Sequence, residues 1–207
     1  MAELQAYLED RADFVMPKVI SILSSLLQRV ADSNDFSCRL QPHKMSVFRG
    51  LTRPTISIQS YLERIFKYAN CSPSCFVIAY VYLDRFALNQ LSLPISSFTV
   101  HRLLITSVLV SAKFMDDIYC NNAFYAKVGG ISTAEMNLLE VDFLFGLGFH
   151  LNVTPTTFHT YCSILQKEMF LQSPLHLPEP PLNVDRPLNH QCCFTEDESA
   201  HHKQLAV

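Results

Sequence analysis

His150, His159 and Cys162 are side chains whose types and spacing could supply a nucleophile and a base. In enzymes that use such a pair, the imidazole activates the thiol and a third polar group orients the imidazole. The sequence offers no evident third group, and it contains neither a Gly-x-Ser-x-Gly turn nor a Walker phosphate-binding motif. We therefore predict no catalytic residue and no enzymatic activity.

The seven cysteines could instead be metal ligands or form disulfides. Cys71 and Cys75 have helical spacing, but no second pair of Cys or His follows them at zinc-finger distance. Cys192 and Cys193 lie among histidines near the end of the chain and could bind metal only adventitiously. Cys162, like Cys75, fits a small apolar core position. We predict free thiols, no structural metal and no cofactor.

Three charged side chains occur at positions where charge needs an explanation. Lys113 lies in the last turns of a predicted helix, where the helix dipole favours a cation. Glu140 lies at the edge of an apolar stripe, where a carboxylate needs partners. Lys113 could also pair with Asp116 or Asp117 next to it. Asp84 lies among the apolar positions of its helix, and we predict that it is a buried structural acid.

The elements that must position these residues are all predicted to be helices. No segment alternates apolar and polar residues between turn residues, so the sequence predicts an all-α fold. The apolar spacing predicts helices over residues 16–31, 57–69, 73–90, 97–116, 122–128, 133–147 and 155–170. The helix 97–116 is apolar nearly all round, which is typical of a helix surrounded by others.

The helix ends are predicted from capping residues. Pro17 fits the first turn of the first helix, where its missing N–H is not needed. Ser72 is predicted to cap the helix 73–90, and Ser96 or Ser97 the helix 97–116. Ser132 begins a capping-box sequence for the helix 133–147.

The order of the helices divides the chain into four parts. Residues 1–54 are predicted to form an N-terminal amphipathic helix and a linker, and residues 55–150 a unit of five helices. One further helix occupies residues 151–172. Residues 173–207 are rich in proline, which excludes regular helix, and are predicted to form a flexible tail.

Charge and hydropathy exclude two classes of partner. The formal net charge is −3 and no basic block occurs, so we expect no nucleic-acid binding. The longest apolar stretch, residues 103–114, is too short to span a bilayer and contains polar residues. The acidic N-terminus does not resemble a secretory signal. We expect a soluble intracellular protein of the nucleus, the cytoplasm or both, with no small-molecule substrate.

Several short stretches occur in an order and spacing that resemble the cyclin box. They are YLDRF at 82–86, SAKFMDD at 111–117, LE at 139–140 and LGF at 147–149. Two further runs, residues 57–65 and 121–130, are similar to the P-type (or U-type) cyclins of plants, relatives of the yeast phosphate-pathway cyclins. The resemblance covers residues 15–172.

The resemblance implies a non-catalytic subunit that binds and activates a cyclin-dependent serine/threonine kinase, expected to be of the PSTAIRE type. In the family a lysine and a glutamate hold the kinase backbone beside its mobile helix, and the matching positions are Lys113 and Glu140. The apolar positions that pack on that kinase helix match Phe114, Leu144, Phe149 and Leu151. If this is right, Lys113 and Glu140 must be neighbours on one outer surface.

The chain departs from the family pattern at two places. The acid that matches Asp84 forms an internal ion pair with an arginine at the start of the first box helix, and that arginine is missing. Arg53 and Arg102 are the candidate replacements. The Met-Arg-Ala-Ile-Leu docking patch of cell-cycle cyclins is also missing. The alternative interpretation is a cyclin-fold transcription adaptor that binds DNA or polymerase components, a class that usually shows basic helices or a second five-helix repeat.

Overall fold

The computed structural model describes the backbone of residues 2–37 and 46–172, and the side chains of 16–37 and 46–171. The elements in these ranges are α1 (Ala2–Ser37), α2 (Ile58–Tyr68), α3 (Ser74–Asn89), α4 (Val100–Met115), α5 (Asn122–Gly129), α6 (Thr133–Gly146) and α7 (Pro155–Gln172). The described ranges contain no strand, which confirms the all-α prediction. The predicted tail, 173–207, lies outside them.

Helix α4 is the centre of the fold. It packs against α2, α3, α5 and α6, and every residue from Leu103 to Ala112 is buried. The polar side chains within it are satisfied locally, as Thr106 Oγ1 donates to Arg102 O at 2.7 Å and Ser107 Oγ to Leu104 O at 2.9 Å. The prediction that this helix is surrounded by others is confirmed.

The predicted five-helix unit corresponds to α2–α6, with α1 before it and α7 after it. Helix α1 packs on α2 and α7, and α7 also packs on α3. Ile22, Val77 and Leu165, one from each of α1, α3 and α7, form a small apolar cluster of their own. At the edge of this contact Arg29 Nη2 pairs with Glu168 Oε2 at 2.8 Å.

Helix α1 is longer than its apolar stripe predicts. It begins at Ala2, so Pro17 lies inside the helix and not in its first turn, and the prediction was wrong there. It also continues past Asn34 to Ser37 because tertiary contacts hold its last turns: Asn34 Nδ2 donates to Ile95 O at 2.9 Å, and Asp35 Oδ1 accepts from Ser97 N at 3.0 Å.

Two predicted caps are also displaced. The N-cap residues of α3 and α4 are Pro73 and Thr99, not Ser72 and Ser96 or Ser97. The N–H of Ser72 instead donates to a carboxylate at the end of α4, at 3.0 Å, and the N–H of Ser96 donates to Thr99 Oγ1 at 2.8 Å.

The Ser132 cap is confirmed. Its hydroxyl accepts from the N–H of Glu135 at 3.1 Å. The carboxylate of Glu135 does not complete a capping box, because it pairs with Arg102.

Candidate functional site

Helices α4 and α6 bring Lys113 and Glu140 together, although 27 residues separate them in sequence. Lys113 Nζ lies 2.7 Å from Glu140 Oε1, and the two side chains are 29% and 16% exposed. The pair is therefore accessible at the surface and partly shielded from water. The expectation that these residues are neighbours is confirmed, and the local pairing of Lys113 with Asp116 or Asp117 is not observed.

The carboxylate of Asp116 is occupied elsewhere. Its Oδ2 accepts from Ser72 N at 3.0 Å and from the Cys75 thiol at 3.4 Å. It therefore ties the end of α4 to the start of α3. Asp116 therefore bonds to α3 and does not pair with Lys113, whose ammonium pairs with Glu140.

Asn122, the first residue of α5, holds the second oxygen of Glu140. Its Nδ2 donates to Glu140 Oε2 at 2.7 Å and to Asn137 Oδ1 at 2.8 Å. Each oxygen of the carboxylate thus has a partner, and the site joins α4, α5 and α6. Sequence reasoning missed Asn122, because an asparagine at the start of a helix normally indicates only a cap. That cap is Asn121, whose Oδ1 accepts from Phe124 N at 3.0 Å.

Several apolar side chains near the ion pair in the sequence are exposed or half-buried. Phe114, next to Lys113, is 48% exposed, and Phe149 is 57% exposed. Leu144 and Leu151 are half-buried and pack against the core. Sequence reasoning missed Val141 and Phe145, which lie one helical turn apart on α6 and are also exposed.

We call Phe114, Val141, Phe145 and Phe149 the apolar rim. The rings of Phe145 and Phe149 contact each other edge to face, with centroids 5.2 Å apart. Large exposed apolar side chains grouped beside a polar site are typical of an interaction surface.

The turn after α6 has an unusual backbone. Gly148 and Phe149 have φ values of 58° and 59°, and a left-handed residue other than glycine costs roughly 1–2 kcal/mol. The Phe149 N–H donates to Leu144 O at 3.0 Å, which closes the turn. Backbone strain of this kind clusters at functional sites.

Two residues of α3 hold the chain that follows this turn. Tyr82 Oη donates to Leu151 O at 2.7 Å. Burial raises the pKa of Tyr82 to about 12, so the hydroxyl keeps its proton. Arg85 Nη1 donates to the carbonyls of His150 and Asn152 at 2.8 and 3.0 Å. The chain that follows Phe149 is therefore fixed to α3 by three hydrogen bonds.

Asp84 is not the buried acid that the sequence predicted. It is exposed, and its Oδ2 accepts a hydrogen bond from Tyr161 Oη of α7 at 2.5 Å. Burial and this hydrogen bond raise the pKa of Tyr161. Arg102 does not pair with Asp84, since its Nη2 lies 2.6 Å from Glu135 Oε1. The acid thus anchors α7 to α3 through a neutral hydroxyl.

The candidate nucleophile and metal ligands are not assembled into a site. His150 Nδ1 lies against Leu147 O at 3.2 Å, and burial raises the pKa of the Cys162 thiol, which makes it a poorer nucleophile. Among the residues the structure describes, no group of three or more His, Cys, Asp or Glu is placed to hold a metal ion. Cys192 and Cys193 lie outside them. None of the described helices has the length and hydropathy to cross a membrane.

Comparison with known proteins gives one consistent result. A family model described as Cyclin matches residues 13–151. Cyclin-U4-1 of Arabidopsis thaliana is 67% identical over 192 residues, which are 92% of this chain and 93% of that protein. Cyclin-P4-1 of Oryza sativa subsp. japonica is 55% identical over 192 residues, 90% and 88% of the two chains. Cyclin-U1-1 of Arabidopsis thaliana is 41% identical over 166 residues, 79% of each chain.

Proposed function

The chain belongs to the cyclin family, and on that premise we propose that it is a non-catalytic regulatory subunit that binds and activates a cyclin-dependent serine/threonine kinase. The kinase we propose is of the PSTAIRE type, and the setting is cell division or nutrient-linked control of the cell cycle, in the nucleus, the cytoplasm or both.

The observation that carries the proposal is the ion pair of Lys113 and Glu140, held at the surface by Asn122. An ammonium has three N–H donors and each carboxylate oxygen has two lone pairs. After the bonds to each other and to Asn122, both groups keep capacity for a partner. A kinase backbone can supply a carbonyl to Lys113 and an N–H to Glu140.

The apolar rim supplies the second part of the proposed interface. Phe114 and Phe149 are about half exposed, and burying such rings against a kinase helix removes apolar surface from water at roughly 25 cal/mol per Å². Binding only the active position of the kinase helix shifts its population toward the active state. The residues that transfer phosphate belong to the kinase.

Charge reversal tests the proposal. Lys113→Glu and Glu140→Lys each place like charges opposite each other, and each should abolish co-purification with the kinase. The double variant restores an ion pair within the chain but inverts its polarity. We expect it to recover the free energy of unfolding and not to recover kinase binding, as measured by urea unfolding and by titration with the kinase.

The matched control is Arg29→Glu. It disrupts the exposed pair with Glu168, which joins α1 and α7 away from the site, and it should bind kinase as the wild type does. Full binding by the double variant would mean that the pair of Lys113 and Glu140 only stabilises the fold, and it would contradict the proposed role.

A further inference from the structure

A cavity of about 330 Å³ lies beside the apolar rim. The segment before α2, the end of α3 and the end of α6 enclose it. Its volume is near the lower limit of small-ligand pockets, which span roughly 300–1,000 Å³. A space of this size suits one long side chain better than a folded element.

The floor of the cavity is aromatic and tightly packed. The rings of Phe48 and Phe86 meet edge to face with centroids 5.2 Å apart, and both residues are 2% exposed. Phe143 stacks behind Phe86 with centroids 4.9 Å apart. A Cβ atom on Gly146 would overlap the ring of Phe86, so this glycine allows α6 to approach the ring. The floor is thus formed before anything binds.

Asp142 is the only charged residue that lines the cavity among the residues the structure describes. It is exposed, and within the described ranges its carboxylate forms no ion pair or hydrogen bond. The neutral side chains of Gln90 and Ser92 also line the opening. A carboxylate without a partner at the opening of such a cavity favours a cation, through charge attraction and charge-assisted hydrogen bonds.

Phe145 connects the cavity to the proposed kinase interface. It lines the cavity and contacts Phe149 of the apolar rim, and Asp142 lies three residues before it, on the same face of α6. A partner that covers the rim therefore reaches the opening of the cavity. We propose that the cavity receives a lysine or arginine side chain of the kinase, which extends the interface beyond the rim. This inference depends on the proposed function.

The test measures the affinity of the kinase for full-length variants. Asp142→Asn removes the charge and should weaken binding roughly 3–10-fold, and Asp142→Lys should weaken it by roughly 30-fold or more. The loss should shrink as salt is added. Ser92→Trp narrows the opening without changing charge and should also weaken binding.

The matched control is Asp32→Asn, which removes the same charge from the exposed face of α1 and should leave the affinity unchanged. Thermal unfolding shows whether each variant is folded, and Asp142 and Ser92 are exposed positions that tolerate substitution. Wild-type affinity in both Asp142→Asn and Ser92→Trp, with binding lost in Lys113→Glu, would overturn this inference alone. Failure of the wild type to bind the kinase would overturn the proposed function as well.

Discussion

Asn122 is the residue whose role depends most directly on the geometry. Its amide donates to the oxygen of Glu140 that Lys113 does not contact. We expect Asn122→Ala to weaken kinase binding roughly 3–10-fold, because the carboxylate loses a hydrogen bond that orients it. Calorimetric titration with the kinase measures the change. The free energy of unfolding should fall by only about 1 kcal/mol.

The control for this prediction is Asn137→Ala. It removes the other acceptor of the Asn122 amide and leaves the bond to Glu140 in place. It should bind kinase nearly as the wild type does. Equal losses in the two variants would mean that Asn122 supports only the packing of α5 on α6.

Tyr125 offers a second prediction at this scale. Its hydroxyl is buried and has no hydrogen-bond partner among the described residues. A buried hydroxyl without a partner loses its bonds to water and gains nothing in return. Tyr125→Phe should therefore raise the free energy of unfolding, by about 1 kcal/mol in urea titration. A loss of stability would show that a bound water or another partner satisfies the hydroxyl.

At the residue scale, the family motif indicated which two charged residues would be neighbours, and sequence reasoning failed where a partner distant in sequence sets the surroundings of a side chain. The adjacency of Lys113 and Glu140 was anticipated. The surroundings of Asp84 were not anticipated, since it is exposed and its partner, Tyr161, lies 77 residues away in the sequence. The roles of Phe114, Leu144, Phe149 and Leu151 in kinase contact stay predictions.

At the scale of the elements, periodicity identified each helix within the part of the chain the structure describes. The apolar stripe at helical spacing in the predicted helix 133–147 is buried at each of its four positions, Met136, Leu139, Phe143 and Leu147. Tyr68 and Val30 also lie at apolar positions of the helical period, yet they are 53% and 42% exposed, while the next residues, Ala69 and Ala31, are buried. Periodicity records which face is apolar, but not how far the neighbouring helices extend.

Helix α1 gives a prediction that separates the two interpretations of Pro17. Inside a helix, proline removes a hydrogen bond to the carbonyl four residues earlier. Pro17→Ala should then raise the free energy of unfolding by roughly 1–3 kcal/mol. If the helix began at residue 17, the missing N–H would be harmless. An unchanged stability in urea titration, with unchanged far-ultraviolet circular dichroism, would support that shorter helix.

At the scale of the whole molecule, buried tyrosines predict an alkaline limit to stability. Burial raises the pKa of Tyr61, Tyr125 and Tyr161, and that of Tyr82 to about 12, from the usual value of 10.0. The folded state therefore keeps protons that the unfolded state loses. The stabilisation is complete below about pH 10 and declines as the pH rises above it.

Urea unfolding between about pH 8 and about pH 11 measures this decline. Tyr82→Phe should make it shallower, because one of the shifted groups is removed. A free energy of unfolding that stays constant to the top of this range would contradict the assignment of buried, protonated tyrosines.

The whole chain also bears on the alternative of a DNA-binding adaptor. The net charge is −3, and phosphate binding requires concentrated positive charge. A salt-sensitive shift of labelled DNA by the purified protein would favour that alternative.

The predicted limits of the five-helix unit, residues 55–150, and the predicted flexible tail, residues 173–207, stay predictions.

The left-handed turn at Phe149 has a kinetic consequence. Tyr82 and Arg85 hold the chain after this turn by hydrogen bonds, so the loop adopts its conformation when the protein folds and not when the kinase binds. Docking then requires no loop ordering, and the associated entropy loss is avoided. We expect the rate of binding to be limited by how often the two proteins meet in the correct orientation, with an association rate constant of roughly 10⁵–10⁷ M⁻¹s⁻¹. Arg85→Ala removes the hydrogen bonds to the chain after the turn. It should lower the association rate constant for the kinase more than it raises the dissociation rate constant.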